Sequence, residues 1–105
     1  MRRPKIISEI SRAIKDFAPE AKSILYGSEA RGDAREGSDI DLLILLPDSY
    51  EGEKFFDRQM AISSMLYSIS LKFDVDISPL ILMPKIFHQR KTPFTVNIAN
   101  EGIEL

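Results

Sequence analysis

Apolar residues recur at helical spacing from near the start of the chain. Ile6, Ile7, Ile10, Ala13, Ile14 and Phe17 fall on one stripe with Lys, Glu and Arg between them, which predicts an amphipathic helix. Pro4 suits its first position. Ala18-Pro19 ends it, because a residue before proline avoids the α region. Ser23 to Tyr26 reads as a short buried strand and Gly27-Ser28 as a turn. Ser28 to about Ala34 reads as a short helix with Ser28 as its N-cap. After the polar loop Arg35–Ser38, Ile40 to Leu46 is a second strand, closed by Pro47-Asp48. Glu51 to about Lys72 carries Phe55, Phe56, Met60, Ile62, Met65, Leu66, Ile69 and Leu71, the pattern of a long amphipathic helix. Phe73, Val75 and Ile77 then alternate with Asp74, Asp76 and Ser78, predicting a third strand over 73–81. Pro79 ends that strand early or puts it at a sheet edge. Pro84 starts a short helix through His88. Thr92-Pro93 caps a last helix to about Asn100, and Gly102 ends it. The order α-β-α-β-α-β-α-α predicts one α+β domain over 1–105, a small mixed sheet of three or four strands with helices packed on it.

Composition narrows the function. The 105 residues suit one compact domain. The net charge of -2 exerts no general pull on nucleic acid or anionic membrane, and no local basic patch stands out. With no cysteine, disulfides, thiolate zinc sites and cysteine nucleophiles are excluded, which suits a reducing cytoplasm. The basic start Met1-Arg2-Arg3-Pro4-Lys5 leads into an amphipathic segment rather than a long apolar one, so no signal peptide is expected. The longest apolar run, 42–47, is far short of the ~20 residues that span a bilayer.

Candidate chemistry lies between residues 25 and 46. Side chains at i and i+2 on a strand point the same way, roughly 6–7 Å apart. Asp39 and Asp41 therefore share a face, with Ile40 and Leu42 turned into the core. Two like carboxylates repel unless a cation sits between them. Mg²⁺ suits such a pair, since it takes oxygen ligands and keeps waters and substrate phosphates in its shell. A third carboxylate on a neighbouring strand would permit two ions. Asp76 is favoured for that place, with Asp74 as the alternative. Upstream, Gly27 lets backbone approach a phosphate closely, and the Ser28 hydroxyl can donate to a phosphate oxygen. Arg31 either clamps phosphate or pairs at the surface with Glu29 or Asp33. His88, the only histidine, reads as an ordinary surface or half-buried residue. No serine has a plausible His/Asp partner for a hydrolase triad. Phe55, Phe56, Met60 and Met65 read as core.

Gly27-Ser28, Ala30-Arg31-Gly32 and Ser38-Asp39-Ile40-Asp41-Leu42-Leu43 resemble the signature of the DNA polymerase beta-like nucleotidyltransferase superfamily. Within it the chain resembles the minimal nucleotidyltransferases of bacteria and archaea, MntA-type antitoxins among them. The resemblance is specific over 26–46 and looser through the third strand. It implies a polymerase beta palm-like fold and transfer of NMP from an NTP to a hydroxyl, with loss of pyrophosphate. It also implies that Gly27 and Ser28 match the phosphate-binding turn, that Asp39 and Asp41 match the paired carboxylates, and that Asp76 matches the third, with Asp74 still open. ATP is the expected nucleotide. Many such proteins pair with a helical HEPN toxin and act as antitoxin by adding AMP to a toxin tyrosine. No extra acceptor-holding domain is apparent, which points to a partner that supplies the acceptor. The alternative is a non-catalytic module that neutralises its partner by occlusion. Phe94, Val96, Ile98 and Ile103 could form an apolar docking surface or pack in the core. An edge strand near Pro79 would permit a homo-oligomer.

Overall fold

The computed structural model describes residues 3–105; Met1 and Arg2 of the basic start lie outside the described residues. The chain runs α1 (Pro4–Phe17), β1 (Lys22–Tyr26), α2 (Gly27–Arg31), β2 (Ile40–Leu45), α3 (Gly52–Phe73), β3 (Ile77–Leu82), α4 (Pro84–Gln89), α5 (Pro93–Glu101) and β4 (Ile103–Glu104). The sheet order is β3-β2-β1-β4. β1 pairs antiparallel with both β2 and β4, whereas β2 and β3 are parallel. Parallel neighbours need a long crossover, and α3 supplies it.

The central strand explains its own sequence. Ile40, Leu42 and Ile44, with Leu46 beyond, pack with Ile7, Ile10 and Ile14 of α1 and Ile62 and Leu66 of α3. Leu43 and Leu45 point the other way and meet Phe87 of α4 and Ile98 of α5. A strand covered on both faces reads as a continuous apolar run rather than an alternating one. Asp41, at the same parity as Leu43 and Leu45, opens the strand on the side of the smaller cluster.

Several boundaries differ from the expectations. α3 continues to Phe73 and closes on Asp74 in the left-handed region, φ 51° and ψ 51°, where an aspartate is tolerated. Strand β3 therefore starts at Ile77, not Phe73, and Asp76 lies just before it. The alternation at 73–77 reflects a helix end and a bend, with Val75 still packed on the larger cluster. Pro79 sits on an edge strand, as its missing N–H requires. α2 starts at Gly27 with Tyr26 in the N-cap position and no side-chain capping bond, and it stops at Arg31. Ser28 is thus inside the first turn rather than its cap. Phe55 and Met65 pack on the core, but Phe56 and Met60 are exposed, so that part of the core expectation is wrong. Ile98 is buried and Ile103 packs on the larger cluster, whereas Phe94 and Val96 stay exposed.

The cap at Thr92 is present: its Oγ1 accepts from the Thr95 N–H at 3.2 Å, and its own N–H donates to Thr95 Oγ1 at 3.0 Å. Strand β4 was not anticipated, because two residues carry no periodicity. Gly102 leads into it without a left-handed turn, at φ -65°. A Cβ there would lie 2.5 Å from the Ile98 carbonyl oxygen and 2.6 Å from Ile24 Cγ2, so glycine is needed for close approach. Among the described residues no helix is long and apolar enough to cross a membrane.

Candidate active site

The antiparallel register sets Tyr26, the last residue of β1, opposite Asp41 near the start of β2. The chain then turns through Gly27, whose φ is +73°, directly into α2. A Cβ on Gly27 would collide with Asp41 Oδ2. The carboxylate thus lies against bare backbone, and only glycine satisfies both the backbone angle and the contact. The Gly-Ser turn and the second carboxylate are therefore parts of one assembly, although fourteen positions separate Gly27 from Asp41 in the sequence.

Electrostatics mark the same point. Burial pushes the Asp41 carboxyl above its usual range, the Asp39 charge pushes it further, and Arg31 opposes both. Burial also raises the Tyr26 phenol, and Asp41 adds to that rise. Asp39 is exposed just before β2 and accepts from Ser78 Oγ at 3.1 Å. Two carboxylates in mutual repulsion, one of them half-buried, form a donor set that a divalent cation would relieve. The residues therefore fit Mg²⁺, with its remaining shell open to water and phosphate.

Asp76 adjoins Asp39 by backbone pairing. The parallel register sets Ile40 beside Ile77, and the Ile40 N–H donates to the Asp76 carbonyl at 2.8 Å. That places the Asp39 and Asp76 segments side by side. Asp76 and Asp74, both exposed, line a hollow of about 330 Å³ that also borders Ser38 and Tyr67. Among the described residues no group of three or more acidic, histidine or cysteine side chains is arranged to hold a metal ion. Asp39 and Asp41 are joined electrostatically; Asp76 is their neighbour through the main chain.

Arg31 donates from Nη1 to Glu101 Oε1 at 3.2 Å and from Nε to Asp33 Oδ2 at 3.4 Å. Exposed pairs of this kind contribute little stability and exchange readily. Glu29, the other partner expected for Arg31, is fully buried and pairs with Arg3 Nε at 2.9 Å instead. Arg3 also donates to the Ser38 carbonyl at 2.8 Å, tying α1, α2 and the loop before Asp39 together. This buried acid was missed in the sequence, where it looked like one more charge on a short helix.

Gly27, Ser28, Arg31 and Asp41 line one cleft of about 370 Å³, opposite residues of α5, of which the sequence had named Phe94 and Ile98 only as docking surface or core and Asn97 and Glu101 not at all. Phe94, Asn97, Ile98 and Glu101 form that wall. Their spacing of i, i+3, i+4, i+7 marks one helix face, but nothing local says what the face meets. Phe94 packs edge-to-face on Tyr26, with centroids 5.7 Å apart at 85°. A roomier hollow, about 490 Å³, runs along α1 beside Leu105 and contains none of the predicted site residues. His88 is exposed against Phe87 and does not line the cleft.

A model of the nucleotidyltransferase domain family matches residues 7–104. Two proteins of Methanocaldococcus jannaschii, each named "Putative protein adenylyltransferase", are similar in sequence. One is 36% identical over 106 residues, covering 92% of this chain and 99% of its own. The other is 34% identical over 101 residues, covering 87% and 92%. Among solved structures, a "putative nucleotidyltransferase" of Sulfolobus solfataricus superposes with a TM-score of 0.62 at 22% identity, over 98% of this chain and 78% of that one. A toxin-antitoxin structure with AMP-PNP gives 0.61 at 17% identity, over 92% and 69%. The MntA-HepT toxin-antitoxin gives 0.59 at 16%, over 96% and 69%. These likenesses show the shared α+β nucleotidyltransferase fold. With a family match that runs through nearly every element described above, and a relative aligned over almost its full length, the chain belongs to the nucleotidyltransferase domain family and is a nucleotidyltransferase.

Proposed function

We propose that the protein transfers AMP from ATP to a hydroxyl on a partner protein, a tyrosine of a helical HEPN-type toxin, and so serves as the antitoxin of the pair. The observation that carries this reading is the Asp41 carboxylate seated on Gly27, in the same cleft as Ser28 and Arg31. Support for the acceptor class comes from the relatives named as protein adenylyltransferases. Support for the partner class comes from the toxin-antitoxin structures that share the fold, one of them with AMP-PNP.

In this reading the bare backbone at Gly27 admits the triphosphate closely, and the Ser28 hydroxyl donates to a phosphate oxygen. Arg31 exchanges Asp33 and Glu101 for phosphate oxygens, a swap between charge-assisted bonds of similar kind. Asp39 and Asp41 would hold Mg²⁺, and Asp76 would hold a second ion from the adjoining segment. Bound there, Mg²⁺ supplies charge neutralisation at the phosphates and lowers the cost of deprotonating the acceptor. The acceptor oxygen forms a bond to the α-phosphorus, the bond to the bridging oxygen breaks, and pyrophosphate leaves with that electron pair. The hydroxyl proton passes to the Asp76 carboxylate. The chain's contribution is positioning and fixed charge.

The test is incubation with α-labelled ATP, Mg²⁺ and the helical partner, followed by mass spectrometry. One added AMP on a partner tyrosine is expected. A partner that is neutralised with no added mass, under conditions where the complex forms, would establish occlusion instead.

A further inference from the structure

We propose that the α5 wall is the nucleobase subsite of this cleft, with Phe94 covering the face of the base and Asn97 reading the edge of adenine. The inference rests on the cleft accepting a nucleoside triphosphate, as proposed above. The cleft mixes polar and apolar lining: Gly27, Ser28, Arg31 and Asp41, with Asn97 and Glu101 of α5, are joined by Tyr26, Phe94 and Ile98. A nucleotide combines the same two characters, an anionic tail joined to a flat ring with apolar faces and a hydrogen-bonding edge. About 370 Å³ is within the range of small-molecule sites.

Phe94 is held rather than loose. Its edge-to-face contact with Tyr26 fixes one side of the ring, yet 49% of the residue remains exposed. A large apolar ring held at a cleft wall and still open to water is a surface on which a base can stack. Asn97 lies three residues on, one turn along the same helix face. Its carboxamide sets an acceptor oxygen beside a donor amino group, which match the amino group and adjacent ring nitrogen of adenine. The corresponding edge of guanine presents two acceptors and does not. The Thr92–Thr95 capping box and the buried Ile98 fix the helix that carries both residues.

Calorimetric titration of the protein with Mg²⁺ and each of ATP, GTP, CTP, UTP and tripolyphosphate tests this. Wild type should bind ATP more tightly than GTP, whose corresponding edge carries two acceptors. Phe94→Ala should weaken ATP binding roughly tenfold or more and leave tripolyphosphate binding unchanged. Phe94→Leu, which keeps an apolar side chain should the alanine variant fold poorly, should weaken ATP binding by a smaller factor. Asn97→Ala should bring ATP down to the level of GTP, a loss of about tenfold. Wild-type ATP affinity in the Phe94 and Asn97 variants overturns the base subsite and leaves the proposed transfer standing. So does an equal loss for ATP and tripolyphosphate, which would put α5 on the phosphates. Failure of wild type to bind any of the five ligands removes both proposals at once.

Discussion

Replacing Gly27 with alanine tests the coupling between turn and carboxylate. Residue 27 has φ +73°, and a left-handed backbone costs an L-residue about 1–2 kcal/mol. In addition, the new Cβ would overlap Asp41 Oδ2 and lie 3.3 Å from Asp41 Cγ. Relieving that overlap means moving the carboxylate or the strand end, and overpacking of this kind costs a further ~1–3 kcal/mol. Gly37 provides the control. Its φ is +87°, but a Cβ there meets nothing within 4 Å, so Gly37→Ala should show the backbone cost alone. At roughly 5 °C per kcal/mol for a domain of this size, Gly37→Ala should lower Tm by about 5–10 °C, and Gly27→Ala by at least another 5 °C. Gly27→Ala should also abolish most AMP transfer, because it displaces a proposed metal ligand. Adding Asp41→Ala removes the collision, so the double variant should be about 1–3 kcal/mol more stable than additivity predicts. Urea titrations and transfer of α-labelled phosphate measure both quantities. If Gly27→Ala costs no more than Gly37→Ala and transfers at the wild-type rate, the proposed coupling is wrong.

Asp41→Asn should remove most transfer and leave the fold intact. It also has a pH signature. The folded state holds the Asp41 carboxyl above its usual range through burial and the Asp39 charge. The native state thus binds that proton more readily than the unfolded chain, and ionisation destabilises it. The penalty is absent below the unfolded pKa and complete above the folded one. Metal-free Asp41→Asn should accordingly melt above wild type at about pH 7, with the gap closing towards about pH 3. Melts in chelator that show no pH-dependent gap would refute the assignment. Glu29→Ala empties a buried position and leaves Arg3 without its 2.9 Å partner; a loss of about 3 kcal/mol in urea unfolding is expected, and a loss under half of that would make the pair peripheral. Glu101→Gln removes a competitor for Arg31, so tighter tripolyphosphate binding is expected by titration. Unchanged or weaker binding would argue against Arg31 as a phosphate ligand.

The α1 stripe, the apolar run of β2, the length of α3 and the Thr92 cap were legible because each is a local pattern with its own period or capping chemistry. The β3 boundary was not. Phe73, Val75 and Ile77 alternate as a strand would, yet Phe73 ends a helix and Asp74 takes the left-handed turn. Six residues, 73–78, drawn from a helix end, a turn and a strand start can imitate alternation by accident. β4 was invisible for the opposite reason: two residues owe their pairing entirely to Ile24 and Leu25 across the sheet. The exposed Phe56 and Met60 show a related limit. Helical spacing identifies an apolar side chain but not whether a neighbouring element reaches it.

For the site, spacing together with the family resemblance proposed Gly27, Ser28, Asp39 and Asp41 as parts of one chemistry. A glycine turn followed by two acids at strand spacing is a local arrangement, and local arrangements are written in order along the chain. Three other features belonged to the tertiary structure: the seat of the Asp41 carboxylate on Gly27, the burial of Glu29 against Arg3, and the α5 wall across the cleft. Each depends on which surfaces meet when the sheet closes, and the energy that decides it comes from pairings among residues far apart in sequence.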